Sequence, residues 1–251
     1  MILEELTALY SPLDIEYSQI MSGPYEDLSF HDNNIKVIAG LKDNRISGFW
    51  RPMVAIGDDK TLKMHIERLY DICDNIYYMD FLIDGKLSVI SQFLLRHGHK
   101  ARPYYTQIID LRYPIYANLR KSYRSLVNKT TGIAPSTIED YKEIHRKAKG
   151  ITRSARTWEV QKKMAYVCQT KRDSGALFYH NNFGGYYFSS SGSKNHAIVY
   201  SCLRRLQNKG CVYAEMGEQI FNGKIKDMNI SKFKRGFGGK TITRLILEKA
   251  K

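Results

Sequence analysis

The chain has no long apolar run. Its richest stretches, such as Phe81-Leu82-Ile83 and Phe93-Leu94-Leu95, fall far short of the roughly 20 residues of a membrane-spanning helix, so no membrane span is expected. It has no Cys-x-x-Cys pair either. Cys73, Cys168, Cys202 and Cys211 stand far apart, which argues against a zinc site and fits reduced thiols; no metal is expected. Each cysteine lies in an apolar-periodic segment, where packing is the ordinary use of a free thiol. The first residues, Met1-Ile2-Leu3-Glu4-Glu5-Leu6, lack a basic segment followed by an apolar one. A secretory signal is therefore not expected, and a cytoplasmic location is. Missing too are a G-x-G-x-x-G or P-loop match, an arginine-rich tail, a recognition helix and an RNA-binding signature, which disfavours sequence-specific nucleic-acid reading.

What the chain does have is basic charge. Lysine and arginine number 39 against 25 acidic residues, a net charge of +14. Such an excess implies an anionic partner: nucleic acid, a membrane surface or a phosphate-rich small molecule. The cations are spread along the chain, with concentrations at Arg120-Lys121, Arg146 to Arg156 and Lys232 to Lys240. That spread favours phosphate binding.

One order of elements occurs twice. In the first half, Ile35 to Leu41 reads as a strand, the turn residues Lys42-Asp43-Asn44-Arg45 follow, and Ile46 to Ile56 reads as a second strand. A loop at Gly57 to Lys60 leads into a helix over 61–74, with Leu62, Ile66, Leu69, Tyr70 and Cys73 at helical spacing, and then a strand over 76–82. In the second half, strands at 175–179 and 185–189 flank the turn His180 to Gly184. A polar loop over 190–195, a helix over 196–208 stopped by Gly210, and a strand over 211–216 complete the set. Between the halves come a strand at 104–111 and helices at 116–127, 136–149 and 158–170; at the end, 241–247 alternates as a strand would. The expected fold class is α/β: two halves, 1–115 and 116–251, each a mixed sheet flanked by helices.

Three segments carry a resemblance. Thr106-Gln107-Ile108-Ile109-Asp110-Leu111 precedes Leu119-Arg120-Lys121-Ser122-Tyr123-Arg124-Ser125; His145-Arg146 precedes Thr152-Arg153-Ser154 and Thr157-Trp158; Tyr213-Ala214-Glu215-Met216-Gly217 precedes Phe233-Lys234-Arg235-Gly236-Phe237-Gly238-Gly239. In this order, over 104–240, the chain resembles the FemAB-like branch of the GNAT acyltransferase superfamily. The resemblance implies two tandem GNAT-like halves with a cleft between them. It also implies an N-acyltransferase moving an acetyl or hydroxybutanoyl group from coenzyme A to a nucleotide-linked amino sugar, such as a dTDP-3-amino-3,6-dideoxyhexose, for bacterial surface polysaccharide. The alternative within the fold is an aminoacyl-tRNA donor. An alternative of another class is a non-enzymatic nucleic-acid or membrane binder.

Acyl transfer to an amine needs a held thioester or ester, a deprotonated amine and support for the oxyanion. For an acyl-CoA pyrophosphate, the expected cradle is Tyr187, Ser189, Ser191, Gly192, Ser193 and Lys194 at the entry to the 196–208 helix, because a helix N-terminus offers free amides. An ordinary capped loop explains the same residues. For the acceptor, Arg120, Arg124, Arg153 and Arg235 are candidate phosphate forks, with Arg156 and Lys234, and Trp158 beside them. Among Glu215, Glu218, His145 and His196, Glu215 leads as base, with Tyr213 on the same strand face. Lys234 is expected in a loop, where it would bind phosphate or steady the oxyanion.

Overall fold

The computed structural model describes residues 25–31, 35–48, 52–150, 153–193 and 195–250. They fall into two compact units, one of residues up to 105 together with 243–250, the other of 106–242.

The N-terminal unit carries short strands β1 (Glu26–Asp27), β2 (Phe30–His31), β3 (Ile35–Ile38), β4 (Gly40–Lys42), β5 (Arg45–Ser47) and β6 (Val54–Gly57). They form two three-stranded sheets, β1-β4-β5 and β2-β3-β6. Asp43 and Asn44 both take positive φ in the β4–β5 turn, as their side chains allow. The stretch expected as one strand over 46–56 is two, β5 and β6; Phe49 to Arg51 lie outside the described residues. Helix α1 (Asp59–Ile72) starts where the Asp58 carboxylate accepts from Thr61 N at 3.0 Å, and it buries Leu62, Ile66 and Leu69. It leads to β7 (Tyr78–Asp80), whose flank forms parallel bridges Ile46↔Ile76 and Met53↔Tyr78. The sequence reading had no helix after β7. The chain makes α2 (Val89–Arg96), capped by the Ser88 hydroxyl.

The C-terminal unit is entered within β8 (His99–Asp110). Then come α3 (Ile115–Asn118), α4 (Lys121–Asn128), β9 (Ala134–Pro135), α5 (Ile138–Lys149), α6 (Ala155–Lys163), β10 (Tyr166–Lys171), β11 (Ser174–His180), β12 (Gly184–Ser191), α7 (Asn195–Asn208), β13 (Tyr213–Glu218) and α8 (Ile225–Arg235), and the chain leaves within β14 (Lys240–Lys249). The strand order in this unit is β8-β13-β12-β11-β10-β9, with β12 and β13 parallel and the other pairs antiparallel.

Four expectations are corrected. The helix expected over 116–127 is α3 and α4, interrupted where Leu119 and Arg120 are extended and Arg120 N donates to Gly236 O at 2.9 Å. The helix expected over 158–170 ends at Lys163. Tyr166 to Lys171 instead pair residue for residue with β11, since a β-branched and aromatic run beside an open strand gains more as a strand. The loop expected from Ser190 begins two residues later, because β12 runs through Ser191. Lys234, expected in a loop, lies in the last turn of α8.

The core packs α3, α4 and α7 on one face of this sheet around Phe178, Cys202, Leu206, Met216 and Phe237; Ile138, Tyr141 and Trp158 cover Leu177 and Tyr179. All four cysteines are buried. Burial pushes the Cys168 thiol up to about 12, and Cys202 upward as well, which fits packing rather than chemistry. Among the described residues, no helix is long and apolar enough to cross a membrane.

Candidate active site

Strands β12 and β13 run parallel only over Gly184–Tyr186 against Tyr213–Glu215. Beyond that, two irregularities part them. A register shift against β11 falls between Ser189 and Tyr187, so Phe188 is the extra residue of a bulge; β13 shifts against β8 between Glu215 and Gly217. Bulges bend a strand and re-aim its side chains. Across the first one the faces change: Tyr187, before it, packs with Phe178 on the α7 side, while Ser189 and Ser191, after it, bond to α5.

Along β12, beside α5, α7 and α8, lies a notch of about 810 Å³, a size suited to a small ligand or the end of a larger one. Its lining includes Lys149, Tyr187, Phe188, Ser189, Ser190, Asn195, Lys226, Phe233 and Lys234. Among the described residues, three lysines and no carboxylate line it, together with Ile225, Ile230, Phe188 and Phe233.

Lys234 reaches it from α8. Its Nζ donates to the Glu218 carbonyl at 3.2 Å and lies 5.8 Å from the Tyr187 ring centroid. Burial pushes this amine down to about 8, against the pull of Glu218 and Glu215 in the other direction. Lys149 donates to Ser190 O at 2.9 Å. Burial, then Arg153 and Lys226, hold its amine below the ordinary range.

Behind the Ser189 wall runs a buried polar chain. Tyr141 Oη lies 2.6 Å from Ser189 Oγ and 3.3 Å from Ser191 Oγ, and His145 Nδ1 lies 2.9 Å from Ser191 Oγ. Arg153 Nη1 stands 3.4 Å from His145 Nε2, its guanidinium stacked between Trp158 and Phe188 at 5.0 and 4.6 Å. Burial, then Arg153 and Lys149, push the His145 imidazole down to about 4.

The expected site residues thus separate. Tyr187 and Ser189 line the notch; Ser191 stands behind it, 1% exposed. Gly192 (φ +91°) and Ser193 fold back on the β10–β11 turn, with Ser193 N donating to Ser174 Oγ at 3.0 Å. Lys194 and the Arg156 side chain lie outside the described residues. Trp158 is buried behind Arg153 and is not a wall of the notch. Arg124 donates to the Leu119 and Ala117 carbonyls, Arg120 to the Lys232 carbonyl, and Arg235 to Gln219 while stacking on Phe221. None of these three lines the notch.

Glu215 is buried and accepts from Thr106 Oγ1 at 2.7 Å. Tyr213 shares its strand but bonds to Arg112, at 2.9 Å, in the exposed Asp110–Arg112 group. The sequence reading missed Lys149, which looks like an ordinary basic helix end, and Lys226, whose helix it did not expect. A basic last turn directly after an apolar-periodic helix was the available signal for Lys149.

The fold itself is a known one. The structure of L-PGS from Bacillus licheniformis matches with 11% identity over 96% of this chain and 87% of that one, at a TM-score of 0.67. FemX matches with 11% identity over 98% and 96%, at 0.63. The C-terminal DUF2156 domain of a protein provisionally named a lysylphosphatidylglycerol synthetase, from Agrobacterium fabrum, matches with 11% identity over 99% and 92%, at 0.64. No family model and no curated protein matches the sequence. At these identities the likeness is one of fold: the chain has the mixed α/β, GNAT-like architecture that the sequence led us to expect.

Proposed function

We propose that the chain is an acyltransferase that holds a phosphate-bearing acyl carrier in the notch along β12 and passes the acyl group to an amine. The observation that carries this reading is the lining of the notch: Lys149, Lys226 and Lys234, with no carboxylate among the described residues. In the reaction the amine attacks the carrier's carbonyl carbon, the bond from that carbon to the carrier breaks, and the carrier leaves with a proton. Lys234 faces the charge that develops on the carbonyl oxygen. Glu215 stands close enough to Lys234 to raise its proton affinity, and the amine's proton leaves through Glu215 or water.

Of the two carriers, aminoacyl-tRNA is the better supported. The loop expected to cradle a coenzyme A pyrophosphate has donors already engaged: Ser193 N on Ser174, Ser190 Oγ on Tyr187, and Ser191 Oγ in the chain to His145. A tRNA spreads its phosphates over a wide surface, which suits a chain of net charge +14. Coenzyme A remains the second reading, favoured by the notch volume, which fits the acylated arm of a small carrier. The acceptor is proposed only as an amine. A nucleotide-linked amino sugar rests on the sequence resemblance, and Arg120 and Arg124, expected to hold its diphosphate, serve main-chain carbonyls instead.

Calorimetric titration with aminoacyl-tRNA, deacylated tRNA, acetyl-coenzyme A and coenzyme A, at low and moderate salt, tests this. Binding of tRNA that falls steeply with salt supports the lead. Micromolar coenzyme A binding that survives moderate salt selects the second reading. If none of the four binds, the acyl-carrier reading fails and a non-enzymatic role on this scaffold takes its place.

A further inference from the structure

We propose that Ser189 is the hydroxyl that meets the carrier in the notch, and that the chain Arg153, His145, Ser191, Tyr141 fixes it as a hydrogen-bond donor. The inference rests on the reading that the notch holds the acyl carrier.

The direction starts from one group. A guanidinium can only donate, so at His145 Nε2 the Arg153 contact requires an acceptor. The ring proton then sits on Nδ1, which donates to Ser191 Oγ at 2.9 Å. Ser191 Oγ–H turns to Tyr141 Oη at 3.3 Å, and Tyr141 O–H to Ser189 Oγ at 2.6 Å. The only proton left to point away from the chain is that of Ser189, which lines the notch. At the far end the order follows from the phenol: Tyr141 is the stronger acid of the pair, and its contact to Ser189 Oγ at 2.6 Å is shorter than that to Ser191 Oγ at 3.3 Å, so its proton goes to Ser189. Cation–π contacts to Trp158 and Phe188, at 5.0 and 4.6 Å, hold the guanidinium beside Nε2.

Two consequences follow. Ser189 presents a proton to an oxygen acceptor on the carrier, a phosphate or a carbonyl, and its wall of the notch is assigned to the carrier. Polarisation along the chain also strengthens the terminal donor. The route to this residue runs through the Phe188 bulge, which turns Ser189 toward Tyr141.

The test has two arms. Nitrogen-15 NMR of the His145 ring is expected to show a protonated Nδ1 and a bare Nε2 at neutral pH; a protonated Nε2 would overturn the direction. In the second arm, deacylated tRNA and acetyl-coenzyme A are titrated against the wild type, Ser189→Ala, Ser189→Thr and Tyr141→Phe, with thermal melts to confirm folding. For whichever probe the wild type binds, Ser189→Ala is expected to weaken binding about tenfold or more. Ser189→Thr is expected to keep it, and Tyr141→Phe to weaken it by less than Ser189→Ala. A folded Ser189→Ala that binds like the wild type sinks the inference while leaving the acyl-carrier reading intact. A wild type that binds neither probe sinks both.

Discussion

Lys234 and Glu218 are joined through a main-chain carbonyl: the ammonium donates to Glu218 O at 3.2 Å, so the cation is pinned beside Gly217 and the Tyr187 ring. An ammonium in that place binds an anion only while it keeps its proton, and its affinity for the proton has been pushed down to about 8. Below that pH the group is charged; above it, neutral. Carrier affinity, measured by calorimetry from pH 6.5 to 9.5, is expected to weaken as pH rises through about 8. The fall should approach tenfold per pH unit before levelling. Lys234→Met is expected to abolish this limb, and Lys234→Arg to move it out of the range. A flat wild-type profile would remove Lys234 from carrier binding.

Glu215 has two neighbours with opposite consequences, Thr106 and Lys234. Thr106→Val removes the 2.7 Å donor to a buried carboxylate and is expected to cost roughly 1.5–3 kcal/mol of stability, read from denaturant midpoints. Glu215→Gln keeps the shape and removes one of the two charges, after Glu218 the smaller, that favour the Lys234 proton. It is expected to shift the alkaline limb of carrier binding to lower pH. An unmoved limb would show that the two groups do not communicate.

The Gly238-Gly239 pair was part of the family resemblance, and the structure supplies a steric reason for it. Both have positive φ, and a Cβ on Gly239 would stand 2.2 Å from the Ile108 carbonyl oxygen, on Gly238 2.6 Å from that of Asn118. Backbone cannot step aside as a side chain can. Gly239→Ala is expected to lower stability by at least about 2 kcal/mol. Gly132→Ala, also at positive φ but with nothing within 4 Å, isolates the conformational part and is expected to cost about 1 kcal/mol. Equal losses in thermal or urea unfolding would remove the steric account.

How far the sequence could be read follows from the range of each interaction. The α7 helix was legible because Ile198, Val199, Cys202, Leu203 and Leu206 write one buried face, and α1 for the same reason. The α8 helix was not, because its exposed lysines and single buried Ser231 leave no apolar stripe to count. Tyr166 to Lys171 misread as helix because Met164, Val167 and Cys168 mimic its spacing, while the partner that makes them a strand is β11. Tyr187 and Ser189 were singled out by their place before a helix. Lys149 and Tyr141 were not, and nothing in the sequence joined His145, Arg153 and Ser191 into one chain, since these depend on a bulge and on contacts 41 to 50 residues apart in sequence.

His145 gives a stability test that needs no ligand. Around it stand Arg153 and Lys149, both cationic, with Tyr141, Ser191 and the Trp158 ring. Its imidazole is held at about 4 in the fold, against 6.5 in an ordinary environment. Between those values the unfolded chain binds the extra proton and the native one refuses it. Stability from this group therefore rises as pH climbs from 4 to 6.5, and is fully present above that. His145→Asn is expected to remove close to one proton from the slope of unfolding free energy against pH in that window, with the largest deficit to the wild type near neutrality. An unchanged slope would mean that another group takes up the proton on unfolding. The neutral, Nδ1-protonated ring on which the donor direction of Ser189 depends would then lose its support.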